Sequence, residues 1–300
     1  MSNQVETALV QTYKSNIEIQ FQQKGSRLRN TVRTESQKAE FDFYDRIGPV
    51  DAIEITSRHS DTPLLETPHT RRRVGMRDFD WADMVDRPDK IRMLADPTAS
   101  YTQNAVYALG RKVDDIIMEA AVGVAYTGKT GASNTGTLAD YDGGNQIIPS
   151  TYVEAGGSSA SNLTIGKLRR ARYLLDQAEA IDDGDALTCV ITASQIQALL
   201  RTTEVTSGDY NTVRALVNGE INSFMGFNFL RTERLPASGD GVRDCLIYPQ
   251  SAITLAMGTD INVDVGTRRD KRNNTQIYVC ASFGAVRMWE EKVVVVQCQE

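Results

Sequence analysis

Residues 123–130 read Gly-Val-Ala-Tyr-Thr-Gly-Lys-Thr, a full match to the phosphate-loop pattern G-x-x-x-x-G-K-[ST]. In that pattern backbone amides cradle phosphates, the lysine (Lys129) reaches the outer phosphates, and the hydroxyl (Thr130) holds magnesium. The chemistry needs a strand before the loop and a helix after it, because the helix N-terminus completes the anion site. Here a long helical pattern precedes Gly123, and the helix-poor run GASNTG follows Thr130. A helix C-terminus followed by a loop is the favoured reading. A nucleotide hydrolase using Lys129 is the alternative.

Other constellations are weaker. The two histidines, His59 and His69, sit in a polar stretch, a poor place to preorganise a base. The cysteines, Cys189, Cys245, Cys280 and Cys298, form no C-x-x-C and read as buried, reduced thiols. The acid pairs Asp114-Asp115, Asp182-Asp183 and Glu290-Glu291 read as solvated, since helical neighbours point about 100° apart. G-x-S-x-G and G-x-G-x-x-G are missing from the sequence. No catalytic residue, cofactor or metal is therefore assigned. Two basic clusters remain, Arg71-Arg72-Arg73 and Arg268, Arg269, Lys271, Arg272. Neither is interleaved with aromatics, so a platform for single-stranded nucleic acid is not expected. In a chain of net charge −6, they more plausibly meet acidic patches on a neighbouring copy. With Trp81, on the same extended segment as the first cluster, these seven cations are the candidate inter-subunit contacts.

The elements around them suit assembly. The chain has 300 residues, 24% charged and 41% hydrophobic, an ordinary globular composition. No stretch approaches the roughly 18 apolar residues of a membrane span, and the first ten residues do not read as a secretory signal. Residues 1–40 read as an arm that packs on its own body or on a neighbour. Within it Ile17, Ile19 and Phe21 alternate as in a strand, and Leu28 and Val32 are spaced as in a short helix. Residues 41–90 read as a long β-hairpin with a polar tip holding Pro63 and Pro68. A hairpin with so few apolar residues cannot stand alone in water.

A helix over 97–123, capped by Asp96, carries apolar residues in steps of three and four from Tyr101 to Ala120. Residues 127–162 are rich in Gly, Ser and Thr, with a small strand pair expected near Ile147–Val153. A second helix follows Thr164. LTCVIT reads as a strand, SQIQALL as a helix, 210–217 as helical, and FMGFNFLRTERL as one strand. CLIYPQSAITLAMG reads as a strand, a Pro-marked bend and another apolar stretch, and the last residues as two strands broken near Gly284. The order is α+β.

This order of parts resembles the major capsid proteins of tailed bacteriophages, with the Hong Kong 97-type fold. The segment from Arg71 to Gly123 resembles that family's extended loop and spine helix. ALGRKVDDIIMEAAVG is similar to the spine helix of one coat subfamily. VITASQIQALL resembles its strand-then-helix entry to the axial domain, GFNFLRTERLP with CLIYPQSAITLAMG its central strands, and VCASFGAVRMWEEKVVVVQ its closing strands. The resemblance implies an arm (1–40), an extended hairpin (41–90), and a peripheral domain (91–185) with the spine helix. It further implies an axial domain (186–262) and return strands (263–300). It also implies a non-enzymatic virion protein that assembles in the host cytoplasm as pentamers and hexamers. The resulting icosahedral shell would enclose double-stranded DNA without reading its sequence, and the protein would need no membrane. A separate scaffolding protein, a portal and a decoration protein are the partners this implies. An encapsulin-like compartment shell is a further alternative.

Overall fold

The computed structural model describes residues 22–58, 61–62, 64–86, 98–154, 156–181, 185–201, 223–239 and 241–300. The expectations for Ile17–Phe21, His59, Asp96, Asp182-Asp183 and 210–217 lie outside these residues. Two compact units form. Of the described residues, one holds 22–26, 78–111 and 259–282, and the other 27–77, 112–258 and 283–300.

In the larger unit, a 3-10 turn (Arg29–Thr31) and strand β1 (Arg33–Ser36) replace the short helix expected around Leu28. Leu28 and Val32 are buried, and the backbone amides of Arg27 and Leu28 donate to the Asp114 carboxylate at 3.0 and 3.1 Å. From Arg27 onward the arm is thus seated on its own body. Strand β2 (Phe41–Ile47) pairs antiparallel with β3 (His69–Gly75), placing Phe41 opposite Gly75 and Ile47 opposite His69. The hairpin expected over 41–90 closes at Gly75, because the next strand, β4 (Arg77–Val85), joins a different sheet. The inward positions are Arg72, Val74 and Met76 but then Phe79 and Trp81, so the alternation slips by one residue at Arg77-Asp78, where the chain changes partner.

Helix α1 (Thr98–Val122) runs 25 residues, about 37 Å at ~1.5 Å per residue. In the smaller unit its Gly110 lets the entering backbone lie close, since a Cβ there would stand 2.7 Å from Gly25 Cα and Ser26 N. Beyond α1 come β5 (Tyr126–Thr127), β6 (Ser133–Asn134) and β7 (Ile147–Ile148). β5 and β6 extend the hairpin into a sheet of order β2-β3-β5-β6. β7 pairs parallel with a C-terminal strand at Val295 and Val296, instead of forming the local strand pair expected up to Val153.

Helix α2 (Ile165–Gln177) starts where expected, with Thr164 accepting from the Lys167 amide. Strand β8 (Leu187–Ile191) and helix α3 (Ala193–Arg201) also match the sequence pattern. The single strand expected in FMGFNFL is instead β9 (Ser223–Phe224) and β10 (Phe227–Arg231). Met225 and Gly226 between them adopt left-handed φ of 54° and 82°, the conformation of a tight hairpin turn. β11 (Ala237–Gly239) and β12 (Val242–Pro249) precede a bend and the long β13 (Ile253–Arg268). β14 (Asn274–Arg287) and β15 (Val294–Gln299) complete the chain. The break expected near Gly284 falls after Arg287 instead.

The largest sheet, of order β7-β15-β12-β8-β10-β9 with β11 on β12, carries the main core. All five β8 residues are buried, as are Val293–Val296. Lys167 of α2 is buried too, and its ammonium donates to the carbonyls of Ser150 (3.0 Å), Ser161 (2.7 Å) and Gln297 (3.0 Å). One side chain thereby ties the 150–161 loop to β15. Lys167→Met keeps the stem but strands three carbonyls. It is expected to lower unfolding free energy by roughly 2–4 kcal/mol in a denaturant titration.

Candidate assembly surface

The pleat gives the β2–β3 hairpin two faces. Tyr44, Arg46, Arg72 and Val74 turn toward the body. Phe41, Phe43, Asp45, Ile47, His69, Arg71 and Arg73 turn away from it. On the inner face Val74 packs with Ala125, Ala256, Val286 and Met288, with Tyr44 and Trp289 alongside. Burial raises the Tyr44 phenol to about 12, helped by the nearby Asp42 charge.

Three guanidinium groups converge beside this cluster on one carboxylate. Arg72 is fully buried and donates to Glu290, to the Met288 carbonyl (3.4 Å) and to Thr135 Oγ1 (3.4 Å). Arg46 stacks over Trp289 at 4.6 Å and lies 3.6 Å from Glu290. Arg287 stands 3.9 Å from Glu290 and donates to the carbonyls of Ala121 (2.8 Å) and Gly123 (2.9 Å) at the end of α1. A helix C-terminus favours a cation. Burial pulls both Arg46 and Arg287 below the ordinary arginine range.

Several expectations change here. Arg72 was a candidate inter-subunit contact, but it is consumed within its own chain because the middle of three consecutive strand residues points inward. Two of the acid pairs, Asp114-Asp115 and Glu290-Glu291, are not solvated faces. Asp114 is buried under backbone amides, and Asp115 takes a two-point bond from Arg234 at 2.8 and 2.6 Å. Glu290 is the hub just described, and Glu291 accepts the Tyr141 hydroxyl at 2.6 Å. The sequence pattern singles out Glu290 only as a solvated acid and does not single out Arg46 or Arg287. Their signal was available: charges at body-facing positions between apolar strands demand a partner.

On the outward face Arg73 lies between the rings of Phe41 and Tyr126, 4.7 Å from each. Arg71 lies over Phe43 at 5.7 Å and bonds Asp45 at 2.8 Å. A cleft of about 290 Å³ borders Arg73, Phe41 and Tyr126 and includes Arg77 and Glu119. Arg77 holds Glu119 by two bonds, 2.8 and 3.0 Å, which keeps that carboxyl below its usual range. Beyond the paired strands the hairpin tip bares apolar side chains, with Ile55 82% and Leu64 96% exposed.

The second basic cluster occupies the tip of another hairpin, not a plain loop. β13 and β14 flank it, and Arg272 and Asn273 turn with φ of 53° and 56°. Arg268, Arg269, Lys271 and Arg272 are all exposed, with Arg268 paired to Asp270. Trp81 is half-buried on β4.

The phosphate-loop match lacks its geometry. α1 ends at Val122, and the motif then runs through β5 into a turn, where Gly131 N bonds Gly128 O at 3.1 Å, and on to β6. Lys129 and Thr130 are exposed, with no helix N-terminus behind them, which overturns the nucleotide-hydrolase reading. Cys189, Cys245 and Cys298 are buried free thiols, and Cys280 is half-buried. Among the described residues no three of His, Cys, Asp and Glu are grouped to hold a metal ion. Nor is any helix among them long and apolar enough to cross a membrane.

A mixed α+β chain with an outlying hairpin and a long strut helix is the architecture of a shell subunit. A family profile described as phage capsid protein matches residues 5–300. No curated protein sequence matches. Among solved structures, the capsid of Ralstonia phage GP4 superposes with a TM-score of 0.72 at 10% identity, over 97% of this chain and 95% of that one. The capsid of cyanophage P-SCSP1u gives 0.71 at 13% identity, over 99% and 94%. Mycobacterium phage Che8 gives 0.69 at 15% identity, over 96% and 97%. The fold is thus the Hong Kong 97-type capsid fold expected from the sequence. The chain belongs to the phage capsid protein family, and it is a structural, major capsid protein of the virion.

Proposed function

We propose that copies of this chain cluster as pentamers and hexamers and close into the icosahedral head of a tailed phage around double-stranded DNA. The observation that carries this reading is the hairpin. Its tip exposes Val50, Ile53, Ile55, Leu64 and Leu65, apolar surface that contact with another copy would bury. The hairpin lies across a neighbouring subunit, residues 186–262 crowd the centre of each cluster, and 91–185 with 263–300 form its periphery. Folding and association are then linked, and many modest contacts add through multivalency. Assembly takes place in the host cytoplasm with a separate scaffolding protein and a portal, and a decoration protein binds the finished shell. The protein works without catalysis, cofactor or metal, and holds DNA by enclosure rather than by reading its sequence.

The test is expression of the full chain with its scaffolding partner, viewed by electron microscopy. Closed hollow particles are expected. Replacing 50–58 and 61–66 by a Gly/Ser linker should leave thermal melting near wild type and cut particle yield by about tenfold or more. A wild-type chain that stays monomeric under every condition would overturn the proposal.

A further inference from the structure

Arg71 and Arg73 stand one pleat repeat apart on the outward face of β3, roughly 7 Å. Arg73 lies over the rings of Phe41 and Tyr126, 4.7 Å from each, contacts that restrain a guanidinium able to meet a carboxylate. Arg71 is oriented by Asp45 and Phe43. A matching pair of opposite sign exists on β4, the edge strand of its sheet. There Asp78 and Asp80 are exposed and share one face at the same repeat. Ser282 donates to Asp78 at 2.5 Å, which orients that carboxylate.

We propose that Arg71 and Arg73 of one copy receive Asp78 and Asp80 on the edge strand of a second copy. The inference rests on the shell reading above and names the residues that pair. Two facts select a second copy as occupant: the charges are opposite, and the donor pair on the outward face of β3 and the acceptor pair on the edge strand β4 share one spacing. Different patches of one chain joined in this way make a head-to-tail contact, the kind that closes into rings. An exposed ionic contact is also screened by salt.

Charge exchange tests it in the full chain. Arg71→Glu with Arg73→Glu, and separately Asp78→Arg with Asp80→Arg, should each lower the sedimentable particle yield about tenfold. Combining all four should restore it to within about twofold, with melting unchanged throughout. Wild-type yield should also fall between about 0.05 and 0.5 M NaCl. Wild-type yield in either double variant, no recovery in the fourfold variant, or salt-independent yield overturns the pairing. Wild-type chains that never form particles would sink the shell reading instead, and a covalent arm then still decides the pairing. Arg73→Cys and Asp80→Cys chains, mixed and treated with a bismaleimide long enough to span an arginine–aspartate pair, should give a thioether-linked heterodimer that neither variant gives alone. Absence of that heterodimer overturns the proposal.

Discussion

Replacing Glu290 by Gln is expected to lower the unfolding free energy by about 3–5 kcal/mol, a large effect for a near-isosteric change. The side chain keeps its shape, so packing is not the cause. The cause is that Arg46, Arg72 and Arg287 all depend on this carboxylate, and Arg72 and Arg287 are fully buried. Guanidinium groups do not lose their proton to escape burial, so the loss cannot be relieved by neutralisation. The damage should be local at first. Amide exchange and proteolysis should rise at the base of the 41–75 hairpin before the sheet around β8 and β12 opens. A double-mutant cycle checks the assignment. Glu290→Gln combined with Arg72→Met should cost clearly less than the sum of the two, since the second change removes one of the stranded charges. Additive costs would mean that Glu290 acts through packing and not as the shared anion.

That hub shows what the amino-acid sequence could and could not reveal. The helices were legible because their apolar residues recur every three or four positions and Thr164 marks a start. The buried strands 187–191 and 294–299 were legible as short apolar runs. The hairpin at 253–287 was half hidden: Ile261, Val263 and Val265 alternate as in a strand, but the strand is largely exposed on both faces and no buried run marks its length. Partner choice left only a slight trace: β3 and β4 read as one extended segment although they pair in different sheets, and the one sign is the shift of the apolar residues from Val74 and Met76 to Phe79 and Trp81. The arginine triplet gave its chemistry but not its division of labour. Strand alternation sets Arg72 beside buried Val74 and sets Arg71 and Arg73 with the outward phenylalanines, and that step follows only once the strand and its inner face are known. For the function, no residue cluster carried an activity. The order of elements and its likeness to coat proteins did.

Gly284 was read as a strand breaker, and its actual place in the middle of β14 leads to the second large expectation. A Cβ at 284 would overlap the Gly75 carbonyl oxygen and stand 3.2 Å from both the Gly75 carbonyl carbon and Val74 Cγ1. Neither side can retreat cheaply. Val74 is set in the Ala125, Ala256, Val286 and Met288 cluster, and three residues beyond Gly284 the Arg287 side chain is fastened to the end of α1. The glycine is needed for close approach of two backbones, not for a bend. Gly284→Ala should therefore destabilise by about 3 kcal/mol or more, with the hairpin base forced away from β14. Gly266, on the exposed stretch of the neighbouring β13, has no atom within 4 Å of its own virtual Cβ and provides the control. Gly266→Ala should stay within about 0.5 kcal/mol of wild type. Scanning calorimetry of the two variants separates the accounts. A large drop for Gly284→Ala alone means that the hairpin's seat depends on this backbone contact, whereas equal small shifts would mean that the hairpin is held by its side-chain cluster and tolerates a wider gap.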